Sequence, residues 1–166
     1  MPDLLRLLML KKDIFIDNNI AKNFSNPLDL EYKKLIRWLI TNDSHRKEDC
    51  AYLVVSNKLI VEYQRTTHDA ASKTNIAAII NILTREGRLV KVSNQEIKEF
   101  KIEYFTKRIE KNLTCNHEDR EHIPVVLLSD RKYALSLDDK FINDLRNFPG
   151  FTVLIEKRPE DLPYER

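Results

Sequence analysis

Five short apolar runs punctuate the chain, and between them the apolar residues recur at helical rather than alternating spacing. The first run, Ile14, Phe15 and Ile16, has no polar residue inside it. That predicts a strand over 13–17 covered on both faces, as at the centre of a parallel sheet. Residues 51–55 (AYLVV), 89–92, 133–137 and 151–155 predict four more strands. From Pro27 onward, Leu35, Ile36, Leu39 and Ile40 line one face of a helix, with Trp38 alongside. Leu59, Ile60 and Tyr63 do the same for a helix over 57–65 that Ser56 can cap. Ile76, Ile79, Ile80 and Leu83 predict a longer helix over 69–86, which Gly87 ends in the left-handed conformation.

A helix over 94–111 is predicted to turn Ile97, Phe100, Tyr104 and Phe105 inward and to present Lys98, Lys101, Lys107, Arg108 and Lys111. That basic face is either a solvated surface or a track for a phosphate backbone. The run 123–128 predicts a helix starting near Asp119, in which Pro124 sits awkwardly because it has no N–H to donate beyond the first turn. A short helix over 140–147 completes the set. Strands alternating with helices build a three-layer α/β/α sandwich on a mostly parallel five-stranded sheet. The predicted organisation is an N-terminal extension over 1–11, one domain over 12–157 and a loose tail over 158–166.

Composition narrows the classes. The chain has 166 residues and 42% hydrophobic content, which suits one domain with a full core. A formal charge of +2, from 28 basic and 26 acidic residues, neither demands nor excludes a nucleic-acid partner. Cys50 and Cys115 are too few and too far apart for a disulfide framework, so a reducing, cytoplasmic setting is expected. The apolar start LLRLLML is interrupted by Arg6 and is too short to span a bilayer, so no membrane role is expected. With Gly87 and Gly150 as the only glycines, a Gly-rich phosphate loop is excluded, and no Ser or Cys sits in a nucleophile elbow.

The remaining chemistry lies in acids at element ends. Asp17 ends the first strand, Asp119 begins a helix, Asp138 follows the fourth strand, and Glu62 lies in the helix after the second. In open α/β sheets the carboxyl ends of the strands form the binding crevice, and a central first strand would bring strands one and four together at the switch point. Carboxylates crowded there raise one another's pKa, and a hard divalent cation with oxygen ligands is the usual remedy. Mg²⁺ or Mn²⁺ would activate a water and neutralise charge on a phosphodiester.

The segments IFIDNNI around Asp17, VVSNKLIVEYQR around Glu62, EDREHIPVVLLS around Asp119 and YALSLDDKFI around Asp138 resemble those of PIN domains, from about Leu10 to Ile155. The resemblance implies a metal-dependent endoribonuclease whose metal-binding and catalytic set is Asp17, Glu62, Asp119 and Asp138. Asn18 and Ser136 match supporting polar positions, with Glu118 and Asp139 as rivals to the neighbouring acids. It also implies an RNA substrate, a role as the toxin of a toxin–antitoxin pair, an antitoxin partner and a homodimer. RNA over DNA rests on the resemblance alone.

Two other readings compete. A catalytically silent fold of the same kind would bind RNA or protein without cutting. A haloacid-dehalogenase-type phosphatase would use Asp17 as nucleophile, but it wants a second Asp where Asn19 stands and leaves Glu62 and Asp119 idle. Cys115, His117 and His122 invite a zinc reading, yet His residues five apart lie roughly 140° apart around a helix, off one face.

Overall fold

The computed structural model describes residues 10–41, 49–67 and 75–166. The predicted extension, apart from residues 10 and 11, lies outside the described residues, as do most of the loop after Thr41 and the first turns of the helix predicted from 69.

The sheet has five strands: β1 Lys12–Ile16, β2 Ala51–Ser56, β3 Leu89–Val92, β4 Tyr133–Leu135 and β5 Leu154–Glu156. They lie in the order β3-β2-β1-β4-β5 and every pairing is parallel. The three-layer α/β/α architecture read from the alternation is therefore the one found. Phe15 aligns with Val54 on one side and with Ala134 on the other, so β1 is central. Ile14, Phe15 and Ile16 are fully buried, as an unbroken apolar run requires.

Nine helices are described: α1 Asn18–Ala21, α2 Leu30–Ile40, α3 Asn57–Thr66, α4 Ile76–Arg85, α5 Asn94–Tyr104, α6 Lys107–Asn112, α7 His117–Arg120, α8 His122–Leu127 and α9 Asp139–Arg146. Their caps follow local chemistry. Ser56 accepts from the Leu59 N–H at the start of α3, and Gly87 takes the left-handed conformation (φ +68°) after α4. Ser93 and Glu96 form a reciprocal capping box on α5, a signature legible as S-x-x-E but not anticipated above.

Three expectations need correction. The helix predicted over 94–111 is two helices, because Phe105 leaves helical geometry and the Thr106 hydroxyl caps a new start at Ile109 N–H, 3.3 Å away. The break lets Phe105 join Phe100, Phe148 and Phe151 in one aromatic cluster. The helix predicted from Asp119 is likewise two, α7 and α8. Pro124 falls in the first turn of α8, where no N–H is required of it.

The tail predicted loose over 158–166 packs on the domain instead. A 3₁₀ turn, Pro159–Asp161, is followed by Leu162 and Tyr164, both buried. Tyr164 meets the Trp38 ring edge-on at 4.9 Å, and Arg158 forms a two-pronged pair with Asp29 at 2.8 and 3.0 Å.

Candidate active site

Asp17 is the residue at which β1 ends, and its backbone N–H still bonds to Leu135 of β4 at 2.9 Å. The carboxylate therefore emerges at the carboxyl edge of the two central strands, where the order reverses. Its Oδ2 accepts from the Ser136 hydroxyl at 2.7 Å and from the Asn19 amide at 3.2 Å. Ser136 Oγ in turn accepts from the Asp138 N–H at 3.1 Å, which leaves its hydrogen free to point at Asp17. Asp138 caps α9 through Oδ1, accepting from the N–H groups of Lys140 and Phe141 at 2.9 and 3.2 Å. One short turn after β4 thus orients two of the predicted acids.

Asn18 was expected to steady the carboxylates with its side chain. That amide oxygen instead accepts from Thr66 Oγ1 at 2.9 Å, and Asn18 reaches Asp17 only through its backbone N–H. Asn19 takes the supporting place, bridging Asp17 and the Leu137 N–H, 3.0 Å from its Oδ1. The signal was the Asp-x-Asn turn, since such side chains bond readily within their own turn.

Glu62 is presented by α3, which is tied to β1 by the buried Tyr63 hydroxyl donating to the Ile16 carbonyl. Both oxygens of Glu62 lie 2.9 Å from Nε2 of His122, on α8. His122 is buried with its ring against Phe15 and Phe141, and its Nδ1 has no partner among the described residues. No sequence pattern announces a pair 60 positions apart. The His117, His122 and Cys115 trio does not form a site: His117 is exposed, Cys115 is buried under α9, and His122 faces Glu62.

The carboxylate of Asp119, in the single turn α7, makes no hydrogen bond with any described residue. Burial, then the charges of Asp17, Asp138 and Glu62, raise its pKa, while His122 pulls it down. Burial also raises Asp17, against the lowering by Ser136. The four predicted acids therefore act on one another. The rivals do not enter this field: Asp139 pairs with Lys157 at 2.6 Å on the surface, and Glu118 is exposed, its carbonyl receiving Lys58.

These donors suit a hard cation: all are carboxylate oxygens, two are held unfavourably as anions, and Asp119 is free to turn. Among the described residues no three His, Cys, Asp or Glu side chains already stand at ligating separation, so the acids must turn inward to hold an ion.

A raised carboxyl pKa means that the folded state binds its proton more tightly than the unfolded one. Stability is then full at low pH and lost as pH rises from about 4 through the folded value. In chelator, the melting temperature of wild type is expected to fall over that window. Asp17→Asn should flatten the slope; an unchanged slope would refute the assignment, leaving Asp13 and Asp119, also raised by burial, as its source.

The fold and this acidic edge define an α/β protein with a carboxylate centre at its switch point. No protein-family model matches the chain, and no curated protein matches it. Among solved structures, the chain is similar to one in the crystal structure of VapBC2 from Rickettsia felis bound to a DNA fragment from their promoter. The TM-score is 0.52 at 15% identity, covering 88% of this chain and 98% of that one. At that identity the likeness is one of fold: a five-stranded parallel sheet with helices on both faces. No helix among the described residues is long and apolar enough to cross a membrane.

Proposed function

We propose that the protein is a Mg²⁺- or Mn²⁺-dependent endoribonuclease with Asp17, Glu62, Asp119 and Asp138 as its catalytic metal centre. The observation that carries this reading is the geometry at the carboxyl ends of β1 and β4, where Ser136 joins Asp17 to the Asp138 turn and the Asp119 carboxylate, free of hydrogen bonds to described residues, feels the charges of both. When bound, a divalent ion would lower the pKa of a water and neutralise charge on the scissile phosphodiester. The chain's own part is to orient. Ser136 and Asn19 fix Asp17, the α9 N-terminus fixes Asp138, and Asp119 remains free to adjust. Hydrolysis forms one P–O bond from water and breaks one ester P–O bond; solvent takes the water's proton and protonates the leaving oxygen.

RNA as the substrate is supported by the resemblance to PIN domains. That resemblance, with the similarity of fold to a chain of the VapBC2 complex, supports a toxin-like role with an antitoxin partner; the homodimer rests on the resemblance alone. The test is incubation of a mixed pool of end-labelled RNAs with the protein in Mn²⁺. Discrete cuts are expected, and they should disappear with chelator and in Asp119→Asn, a variant that disturbs no hydrogen bond. Cuts that persist in both would mark a contaminant. No cuts by wild type would favour a fold that binds RNA or protein without cleaving.

Ser136→Ala removes the shortest hydrogen bond to Asp17 and the acceptor of the Asp138 N–H. It is expected to cost about 10- to 100-fold in cleavage, the usual effect of losing a group that orients a ligand. Ser136→Thr should retain activity in the same assay.

A further inference from the structure

The proposed centre leaves one buried group unused. His122 has 2% of its side chain exposed, is enclosed by Phe15 and Phe141, and points Nε2 at both Glu62 oxygens, 2.9 Å from each. The geometry assigns the hydrogen to Nε2, since among the described residues its neighbours within reach are two acceptors and Nδ1 has no acceptor to meet. A single N–H shared equally between two carboxylate oxygens lies in the mouth of the carboxylate, the direction from which a cation would bind it with both. Each of the other three acids keeps at least one oxygen without a side-chain donor.

We propose that His122 is a positioning residue that holds Glu62 outside the cation's ligand shell, leaving Asp17, Asp119 and Asp138 to bind the ion. This rests on the metal-centre reading above and assigns roles within it. Glu62 still contributes its negative charge at a fixed place. Each further anionic ligand would reduce the ion's ability to polarise substrate and would occupy a position that a phosphate oxygen or water needs. By holding Glu62 back, His122 keeps the shell open.

Two variants separate donor from bulk. His122→Phe keeps a planar, somewhat larger ring in an aromatic pocket but has no N–H. His122→Gln can place an amide N–H where Nε2 stood. Mn²⁺ affinity is read from the signal of free Mn²⁺ in electron paramagnetic resonance, beside RNA cleavage. His122→Phe is expected to bind Mn²⁺ at least as tightly as wild type while cleavage falls about 10- to 100-fold. His122→Gln should restore cleavage, and Glu62→Gln should leave Mn²⁺ affinity within about threefold of wild type, against about tenfold or more lost in Asp119→Asn. If His122→Phe and Glu62→Gln both weaken Mn²⁺ binding as Asp119→Asn does, Glu62 is a ligand and the proposal is wrong. Nitrogen hyperfine coupling on the bound Mn²⁺ would overturn it too, by making His122 itself a ligand. A wild type that binds no Mn²⁺ removes the metal centre and this role with it, an outcome distinct from the other two.

Discussion

Asp17→Asn is expected to fold normally and to lose metal-dependent RNA cleavage on the order of 10³-fold, as removal of several kcal/mol of transition-state charge stabilisation would. The substitution keeps the shape of a side chain set between Ser136 and Asn19, and it removes an anion that burial already disfavours. The metal-free variant should therefore be no less stable than wild type above neutral pH. Catalysis and stability move in opposite directions at this residue because the charge that would bind the ion is the one the fold holds at a cost. Thermal melts and single-turnover cleavage on the same preparations check both halves. A variant that unfolds, or one that cleaves within tenfold of wild type, would remove Asp17 from the centre.

Truncation after Glu156 is expected to destabilise the domain by about 3–7 kcal/mol. Leu162 and Tyr164 are each 3% exposed, and burying such side chains contributes about 1.5–3 kcal/mol apiece. The Arg158–Asp29 pair adds about 1 kcal/mol or less, because Arg158 is over a third exposed and water screens it. Loss of Tyr164 also uncovers Trp38, the partner of its ring. Against a typical total of 5–15 kcal/mol, that loss leaves the domain marginal. Chemical denaturation of the truncated chain measures it; a midpoint equal to wild type would show that the tail merely rests on the surface. Tyr164→Ala alone should account for more of the effect than Arg158→Ala, since area removed from water outweighs an exposed ion pair here.

The central strands could be read because a strand buried on both faces must be apolar throughout, which is a property of consecutive residues. Ile14 to Ile16 and Leu53 to Val55 carry that signal without help from the rest of the chain. Strand-end acids were legible for a similar reason. Asp17 and Asp138 interrupt apolar runs at the points where a parallel sheet opens, and the structure sets them at adjacent strand ends joined through Ser136. Asp119, read at the start of a helix, and Glu62, noted within one, had weaker local support and took their role from the resemblance, because a single acid in a helix or turn has no local pattern of its own.

Other features had no local signal. The aromatic positions from Ile97 to Phe105 fit one continuous helix, and the break at Phe105 is decided by a cluster with Phe148 and Phe151, far along the chain. Charge and proline in the last residues suggested a loose end, yet the surface of α2 offers Asp29 and Trp38 to Arg158 and Tyr164. Whether Asn18 or Asn19 faces Asp17 depends on how the turn after β1 leans against β4.

By itself the sequence determined the central strands, most helices, the α/β alternation of a mostly parallel sheet and two acids at strand ends, because apolar periodicity and turn chemistry act over a few residues. Only the tertiary structure decided which Asn bonds to Asp17, which of Asp138 and Asp139 caps α9, and that His122 pairs with Glu62. Those choices depend on contacts between residues dozens of positions apart, where burial and charge are set by neighbours the local sequence does not contain.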